Sequence, residues 1–313
     1  MKPRMLAIGT IRSDFCLEVS RFPEAGETIS DDGSRSFRPG GRGPFASAAF
    51  ARLGADTLFC GKTGSDTDGA RLKQFLVRYG VDTRFMATSR TSPTDFAIVV
   101  GEDSGKRRTL KFPGASDLLS PEDIEEAFTS YPDSVFIQLD IPVSCSAAAL
   151  RFASKQGIPV IADMSAGTSR TDLEQFAAAG KPELLIIDEK EAEEISGIVP
   201  SGSDSCVRAS ITIASVIRSE HYIIKLGQRG TFVYDNRFYR IIPSFENDTV
   251  DPDAGEEAFS AALAWQFISS HDLVSAVKFA SAVKSLTVSR KGGMESIPTL
   301  SEVNDFIGGS YNV

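Results

Sequence analysis

Short runs of β-forming residues alternate with longer helix-forming stretches along most of this 313-residue chain. The runs are apolar on both faces, which is typical of strands buried in the middle of a parallel sheet. They lie at residues 5–9, 57–60, 134–138, 160–162, 184–187 and 222–225. Because alternation at this spacing is characteristic of βαβ units, it predicts an α/β fold, a three-layer α/β/α sandwich around a mostly parallel sheet.

Two of the intervening stretches begin with recognisable helix-start signals. Ser120, followed by a proline and two acidic residues, precedes an apolar helical pattern at 124–128. These residues supply a cap, a fixed φ and favourable charge at the helix N-terminus. A second polar start at 65–69 precedes a predicted helix at 70–79, which Gly80 ends.

Two segments, about 15–37 and 94–113, break the alternation and have β-type patterns with turns. The second segment is a predicted hairpin with its turn at 102–105. We expect the two segments to pair into one small β-sheet that acts as a lid over a substrate. No internal repeat or long linker divides the sequence, so residues 1–313 are predicted to form a single domain that carries this lid.

The charge and the cysteines exclude several functional classes. With 33 basic against 42 acidic residues and a net charge of −9, the chain is poorly suited to bind nucleic acid over a broad surface. The four cysteines form no paired motif, which argues against a structural zinc site and against a need for an oxidising compartment. The apolar run near the N-terminus is too short and too polar to span a membrane. We therefore expect a cytoplasmic protein.

Two loops have sequences suited to ligand binding. In the first, residues 39–44, three glycines let the backbone approach a ligand closely, although a plain tight turn explains them equally well. The second, residues 251–259, leads into a helix whose N-terminus offers free N–H groups and a positive dipole end to an anion. A carboxylate in the first turn, from Glu256 or Glu257, could accept a proton from a hydroxyl group. Acidic residues there also simply stabilise the start of a helix.

These two loops, together with nine other segments in the same order, resemble the ribokinase-like sugar kinases, the phosphofructokinase-B type, over nearly the whole chain. No single segment is decisive, but the shared order is specific. Within this family, the segments at 138–140 and 289–293 are most similar to the ribokinases. The matching segments are 9–14, 22–28, 39–43, 51–55, 61–66, 80–83, 138–140, 188–191, 226–230, 251–259 and 289–298.

The resemblance implies the fold predicted above, a sugar kinase activity that uses ATP, Mg²⁺ and K⁺, and a role for each matched position. The backbone at Ala254, Gly255 and Glu256 would form the anion hole, and Glu257 would be the catalytic base. The residues implied to bind the sugar are Asp14, Gly40, Gly41, Arg42, Phe45 and Asp140. Those implied to bind the nucleotide are Asp188, Lys225, Gly227, Gly230 and Ser281, with Glu191 organising Mg²⁺ through water. A monovalent-cation site is implied at Asp251, Asp253, Thr287, Arg290, Gly292 and Ser296.

The sequence departs from the family pattern at several of these positions. Phe45 stands where the family usually has Asn, so two amide hydrogen bonds to a sugar are lost. Glu256 and Glu257 replace Gly-Asp, which lengthens the base by one methylene and adds a negative charge beside the expected phosphate. If the protein is a kinase, we expect Glu256 to turn away from the nucleotide. Asp188 replaces Asn and adds charge near the metal, whereas Lys225 replaces Thr or Ser and could offset the extra acids or contact phosphate.

Three functions remain open from the sequence. The first is an ATP-dependent kinase that phosphorylates ribose or a related small sugar. The second is a catalytically impaired relative that binds a sugar or nucleotide as a sensor or partner subunit. A nucleoside kinase is a weaker third reading, in which Phe45 stacks on a base. The resemblance also suggests a homodimer formed through the lid.

Overall fold

The computed structural model describes residues 2–165, 167–235, 237–245 and 248–310. Two β-sheets and ten α-helices are found in these residues. The strands are β1 (Arg4–Ile8), β2 (Arg12–Val19), β3 (Arg35–Gly40), β4 (Asp56–Gly64), β5 (Met86–Ser89), β6 (Asp95–Glu102), β7 (Arg107–Phe112), β8 (Ser134–Gln138), β9 (Val160–Asp163), β10 (Leu184–Asp188), β11 (His221–Lys225), β12 (Thr231–Tyr234) and β13 (Tyr239–Ile242). The helices are α1 (Arg42–Arg52), α2 (Thr67–Arg78), α3 (Pro121–Phe128), α4 (Val143–Gln156), α5 (Arg170–Ala177), α6 (Glu189–Ser196), α7 (Ser203–Val216), α8 (Gly255–Ser270), α9 (Leu273–Val288) and α10 (Leu300–Ser310).

The larger sheet has nine strands in the order β13-β12-β11-β10-β9-β8-β1-β4-β5. All six strands predicted from the alternation lie in it and pair in parallel. Successive side chains of a strand point to opposite faces, so Met5 and Ala7 join one apolar cluster while Leu6 and Ile8 join the other. Helices α1, α2, α8 and α9 supply the first cluster and α3 to α7 the second, which confirms the three-layer α/β/α fold.

Two short strands at one end of this sheet were not predicted. In the described residues, β12 and β13 are four residues each and form an antiparallel extension of β11. Runs of four residues carry too little periodicity to be distinguished from loop in the sequence. Their addition makes the sheet mixed rather than wholly parallel.

The second sheet has the strand order β3-β2-β6-β7 and takes its strands from both segments that break the alternation. Strand β2 begins at Arg12 and β3 ends at Gly40, so the first segment extends beyond its predicted limits of 15–37 at both ends. Strand β2 pairs antiparallel with β3 and parallel with β6, and β6 forms the predicted hairpin with β7. The sheet therefore joins residues that are about eighty positions apart in the chain.

The helix-start signals act as predicted, with small shifts in the boundaries. Ser120 forms a reciprocal capping box with Asp123 at the start of α3. Asp66 caps α2, which begins at Thr67 because the side chain of Asp66 accepts a hydrogen bond from the Gly69 N–H. Of the helices that the structure describes, none combines the length and the hydropathy needed to cross a lipid bilayer.

Candidate active site

A cavity of about 1100 Å³ lies between the carboxyl edge of the large sheet and the inner face of the second sheet. Later strands of the chain are added to the large sheet on both sides of β1, first β4 and β5 on one side and then β8 and its successors on the other. Such a reversal of strand order is a switch point, and α/β folds bind ligands there. The predicted site residues that line it are Asp14, Gly41, Arg42, Phe45, Asp188, Glu191, Lys225, Gly227, Asp253, Ala254, Glu256, Glu257 and Gly292. Those that do not border it are Gly40, Asp140, Gly230, Gly255, Ser281, Asp251, Thr287, Arg290 and Ser296.

The loop before α1 requires its glycines. A Cβ at Gly40 would lie 2.1 Å from Oδ1 of Asp14, and one at Gly41 would lie 2.6 Å from the carbonyl oxygen of Thr10. Gly41 also has φ of 82°, a conformation that side chains disfavour. This close packing places Arg42, the first residue of α1, over the edge of the large sheet.

Arg42 contacts two carboxylates on the cavity floor. Its Nη2 lies 2.6 Å from Oδ2 of Asp163, its Nη1 donates to the carbonyl oxygen of Met164, and its Nε lies 3.7 Å from Oε1 of Glu257. Burial lowers the pKa of Arg42, but the charges of Asp163 and Glu257 outweigh this and hold it above the usual value. The guanidinium group of Arg42 is therefore already paired with carboxylates of the protein.

Glu257 lies in the first turn of α8, behind Ala254, which has a left-handed φ of 66°. The first N–H groups of a helix have no acceptor within the helix, so this turn can hold an anion. Burial raises the pKa of Glu257, and the nearby Arg42 partly opposes the shift. A carboxylate with a raised pKa is a stronger base, which suits it to accept a hydroxyl proton.

The Glu256 side chain lines the cavity rather than turning fully to solvent, and it is about half exposed. One carboxylate oxygen lies 3.4 Å from Nζ of Lys225, and the other accepts a hydrogen bond from Nζ of Lys284. Partial burial raises the pKa of Glu256, but the two lysines prevail and lower it overall. The added charge at 256 is thus compensated by ion pairs inside the site.

Two members of this charged group, Asp163 and Lys284, were missed by the sequence analysis. Asp163 is the last residue of β9, is fully buried, and has one oxygen without a hydrogen-bond partner among the described residues. Its position at the carboxyl end of a predicted parallel strand was the available signal. Lys284 lies on α9 and reaches the site only because α8 and α9 pack side by side.

Asp14 and Asp140 occupy different places around the switch point. Asp14 lines the large cavity and forms a two-pronged ion pair with Arg12. Burial raises its pKa, while Arg12 opposes the rise. Asp140 instead borders a neighbouring cavity of about 510 Å³ and accepts a hydrogen bond from the Thr10 hydroxyl at 2.5 Å. Burial also raises the pKa of Asp140, with Arg42 opposing.

Asp188 and Glu191 bind each other's backbone at the start of α6. Oδ1 of Asp188 accepts from the Glu191 N–H at 2.7 Å, and Oε2 of Glu191 accepts from the Asp188 N–H at 2.8 Å. Glu191 is almost fully buried, and this burial raises its pKa to about 7. The backbone pairing of Asp188 with Lys225 places these groups at the same edge of the sheet.

The residues implied in the monovalent-cation site are engaged in several separate contacts. Oδ2 of Asp251 accepts from the Gly292 N–H at 3.2 Å, which joins the 251 loop to the 292 loop. Asp253 pairs with Arg107 of the second sheet, and Arg290 pairs with Glu302. The hydroxyl groups of Thr287 and Ser296 donate to the carbonyl oxygens of Val283 and Gly293.

Four predicted residues remain, and they differ in how they relate to the cavity. Phe45 lines the cavity with its ring half-buried against the first apolar cluster. Gly227 borders the cavity, whereas Gly230 has φ of 104° and leaves no room for a Cβ beside the Ile242 carbonyl oxygen. Ser281 is buried in α9, and its hydroxyl has no partner among the described residues.

Comparison with known proteins identifies the family of this chain. The model of the pfkB family of carbohydrate kinases matches residues 2–300. The chain is 27% identical to a ribokinase of Haemophilus influenzae over 98% of this chain and 99% of that protein, and 26% identical to one of Staphylococcus aureus over 97% and 99%. The structure of Arabidopsis thaliana ribokinase complexed with ribose and ATP is similar with a TM-score of 0.86 and 24% identity, over 98% of this chain and 99% of that one.

The fold and the family match define a phosphotransferase that acts on a sugar hydroxyl. The chain belongs to the pfkB family of carbohydrate kinases. The family resemblance read from the sequence is thereby confirmed.

Proposed function

We propose that this protein transfers the terminal phosphoryl group of ATP to a hydroxyl group of ribose or a related small sugar. The observation that carries the proposal is the placement of Glu257. Its carboxylate lies at the N-terminus of α8, inside the cavity that Asp14 and the second sheet enclose. A base, an anion-binding helix start and a covering sheet are the parts that phosphoryl transfer to an alcohol needs.

In this reaction the sugar hydroxyl loses its proton to Glu257, and its oxygen forms a bond to the terminal phosphorus as ADP leaves. The raised pKa of Glu257 favours the proton transfer, and Arg42 holds the carboxylate in place. The N–H groups of the first turn of α8 stabilise the negative charge that develops on the phosphoryl oxygens. Because Gly40 has no side chain, Asp14 can lie close to the loop before α1. From this position the carboxylate of Asp14 accepts hydrogen bonds from sugar hydroxyls.

The acidic pair at the start of α6 fits a magnesium ion bound through water. Among the described residues, each carboxylate uses one oxygen for capping, so the second oxygen of both Asp188 and Glu191 remains for metal-bound water. Carboxylate oxygens are the ligands that Mg²⁺ prefers, and the ion would neutralise the phosphates of the nucleotide. The loops at 251–253 and 287–296, which meet through Asp251 and Gly292, would hold a monovalent cation such as K⁺ mainly by carbonyl oxygens.

A second candidate is a family member that binds sugar or nucleotide without turnover. Arg42 and Lys225, which line the cavity, and Lys284, which contacts Glu256 from α9, all pair with carboxylates already. A phosphate must compete with those carboxylates for the same donors. The competition weakens the contacts to the transferred phosphoryl group and does not involve Asp14 on the sugar side, so it favours a protein that binds sugar with little turnover.

The two candidates are separated by measuring turnover and binding on the same preparation. ADP release is followed with ribose, fructose and other small sugars in Mg²⁺ and K⁺, beside a thermal-shift titration of each ligand. Sugar-dependent ADP release establishes the kinase. Stabilisation by ligand with ADP release at background establishes the binding protein, because a bound ligand raises the melting temperature without chemistry.

Two further properties belong to this proposal. The four cysteines are free thiols, which supports the cytoplasmic location expected from the sequence. A homodimer would form through the second sheet, whose edge strand β7 is exposed along its whole length. The large apolar side chains of Leu110 and Phe112 on this strand are more than half exposed and would be covered in such a dimer.

A further inference from the structure

The inner face of the second sheet presents four cationic side chains to the large cavity. Arg12 on β2, Arg38 on β3, and Arg107 and Lys111 on β7 all line the large cavity. The chain as a whole has a net charge of −9, so this local positive charge runs against its composition. A cavity wall with an excess of one sign of charge attracts ligands of the opposite sign.

The strand register places two of these cations on either side of Asp14. Asp14 is directly opposite Arg38 on β3 and opposite Ala97 on β6, and Ala97 is in turn opposite Lys111 on β7. Cross-strand partners share one face of a sheet, so Arg38, Asp14, Ala97 and Lys111 form a single row above the cavity. Neighbouring strands are about 4.8 Å apart, which brings both cations within reach of one small ligand bound at Asp14.

Protein carboxylates neutralise only half of this group. Arg12 pairs with Asp14, and Arg107 pairs with Asp253. Arg38 donates to the hydroxyl of Ser36, and no carboxylate lies within ion-pair distance of Arg38 or Lys111 in the part of the chain that the structure describes. The pocket wall therefore has an excess of two positive charges beside the residue that is placed to bind sugar hydroxyls.

We propose that the sugar substrate itself carries an anionic group, a phosphate ester or a carboxylate, and that Arg38 and Lys111 bind this group. The proposal rests on the sugar kinase function and narrows its substrate class from neutral sugars to anionic ones. Asp14 holds a hydroxyl of the same molecule, and the hydroxyl that reacts faces Glu257. Guanidinium and ammonium groups form strong, charge-assisted hydrogen bonds to phosphate and carboxylate oxygens, whereas a neutral sugar offers them only hydroxyl groups.

The test compares ribose with ribose 1-phosphate, ribose 5-phosphate and ribonate on the wild-type protein. Binding is measured by calorimetry at two salt concentrations, and ADP release is measured separately with ATP and Mg²⁺. We expect at least one anionic sugar to bind tenfold or more tightly than ribose, with an affinity that falls as salt rises. Comparing the two phosphate esters with ribonate shows whether the site prefers a phosphate or a carboxylate.

The variants Arg38→Gln and Lys111→Gln test whether these two cations cause the tighter binding of the anionic sugar. Each should weaken binding of the preferred anionic sugar by about tenfold to a hundredfold and leave the affinity for ribose nearly unchanged. Arg35→Gln and Arg108→Gln are the matched controls, since they remove a cation from the outer face of the same two strands. Both controls should bind the anionic sugar as the wild type does.

The outcomes separate this inference from the kinase proposal. Binding and phosphorylation of ribose in preference to every anionic sugar would overturn the inference and leave the kinase standing. Tight binding of an anionic sugar without ADP release would support the inference and count against the kinase. Equal losses for ribose and the anionic sugar in Arg38→Gln and Lys111→Gln would also overturn it, because a general disturbance of the lid would then explain both.

Discussion

At the scale of single residues, the site is a group of buried and half-buried charges that pair with one another. Glu256 is matched by Lys225 and Lys284, and Arg42 is matched by Asp163 and Glu257. Removing one partner of such a group leaves the other uncompensated, which costs more than the pair itself contributes. Single substitutions here should therefore be compared with charge-neutral replacements of similar size.

The replacement Glu257→Gln tests the catalytic base. An amide cannot take up the hydroxyl proton, so we expect kcat to fall by roughly 10² to 10⁴ while the affinity for sugar changes little. ADP release and calorimetric binding of the sugar are measured on the same variant. Turnover at the wild-type level in Glu257→Gln would show that another group accepts the proton.

The replacement Glu256→Gly tests whether the carboxylate competes with phosphate. Without it, Lys225 and Lys284 are free to contact the nucleotide, and the backbone of the first turn of α8 is more open. We expect a lower KM for ATP and a higher rate, with Glu256→Gln as the control that removes the charge but keeps the side chain. An unchanged KM for ATP in both variants would contradict this competition. Should wild-type turnover be at background, the double change Glu256→Gly with Glu257→Asp should restore some activity.

Glu191 predicts a pH dependence of stability. Its pKa is raised by burial to about 7 in the folded state, whereas the value in an unfolded chain is near 4.5. The folded protein therefore holds this proton more tightly, so the contribution of Glu191 to stability is greatest below about pH 4.5 and is lost as the pH rises through 7. Relative to Glu191→Gln, the metal-free wild type should lose on the order of 3 kcal/mol between pH 4.5 and 7.5. Urea unfolding of both proteins at several pH values measures the difference, and a constant difference would rule the shift out.

At the scale of elements, the second sheet is joined to the core by Arg107 of β7, which pairs with Asp253 and lies 3.7 Å from Asp251. All three residues lie close to the start of α8, so this contact links the covering sheet to the helix that carries the proposed base. Under the proposed function, this contact would connect closure of the second sheet over the substrate to the catalytic end of α8.

The replacement Arg107→Ala should release the sheet from the core. We expect the KM for the sugar to rise about tenfold with a smaller change in kcat, because the covering sheet is then held less closely over the substrate. The pair is more than one third exposed, so the free energy of unfolding should change by less than about 1 kcal/mol. Arg84→Ala, which breaks a surface pair with Asp82, is the control and should leave KM unchanged. A rise in KM of the same size in both variants would remove the Arg107 contact from the mechanism.

At the scale of the whole molecule, two apolar clusters on the faces of one large sheet fix the core, and the second sheet projects from it with one face over the cavity. The outer edge of that sheet is exposed, and its strand β7 carries the exposed apolar side chains of Leu110 and Phe112, which a second copy would cover. If two copies pair there, light scattering after size-exclusion chromatography should give the mass of a dimer. The replacement Leu110→Asp should then reduce it to the 33.7 kDa monomer, whereas Ile211→Asp at an exposed position on α7 should not.

The sequence by itself determined the layered α/β fold, the six parallel strands, the capped helices and the family, because these depend on local periodicity and on short motifs in a fixed order. It also indicated Glu257 and Asp14, since both lie within such motifs. Tertiary structure alone decided which charges meet. Asp163 and Lys284 come from β9 and α9, far from the 254–257 loop in sequence, and reach it only through sheet register and helix packing. The cations facing Asp14 likewise depend on the pairing of β2 with β3 and β6, and no local pattern encodes which strands become neighbours.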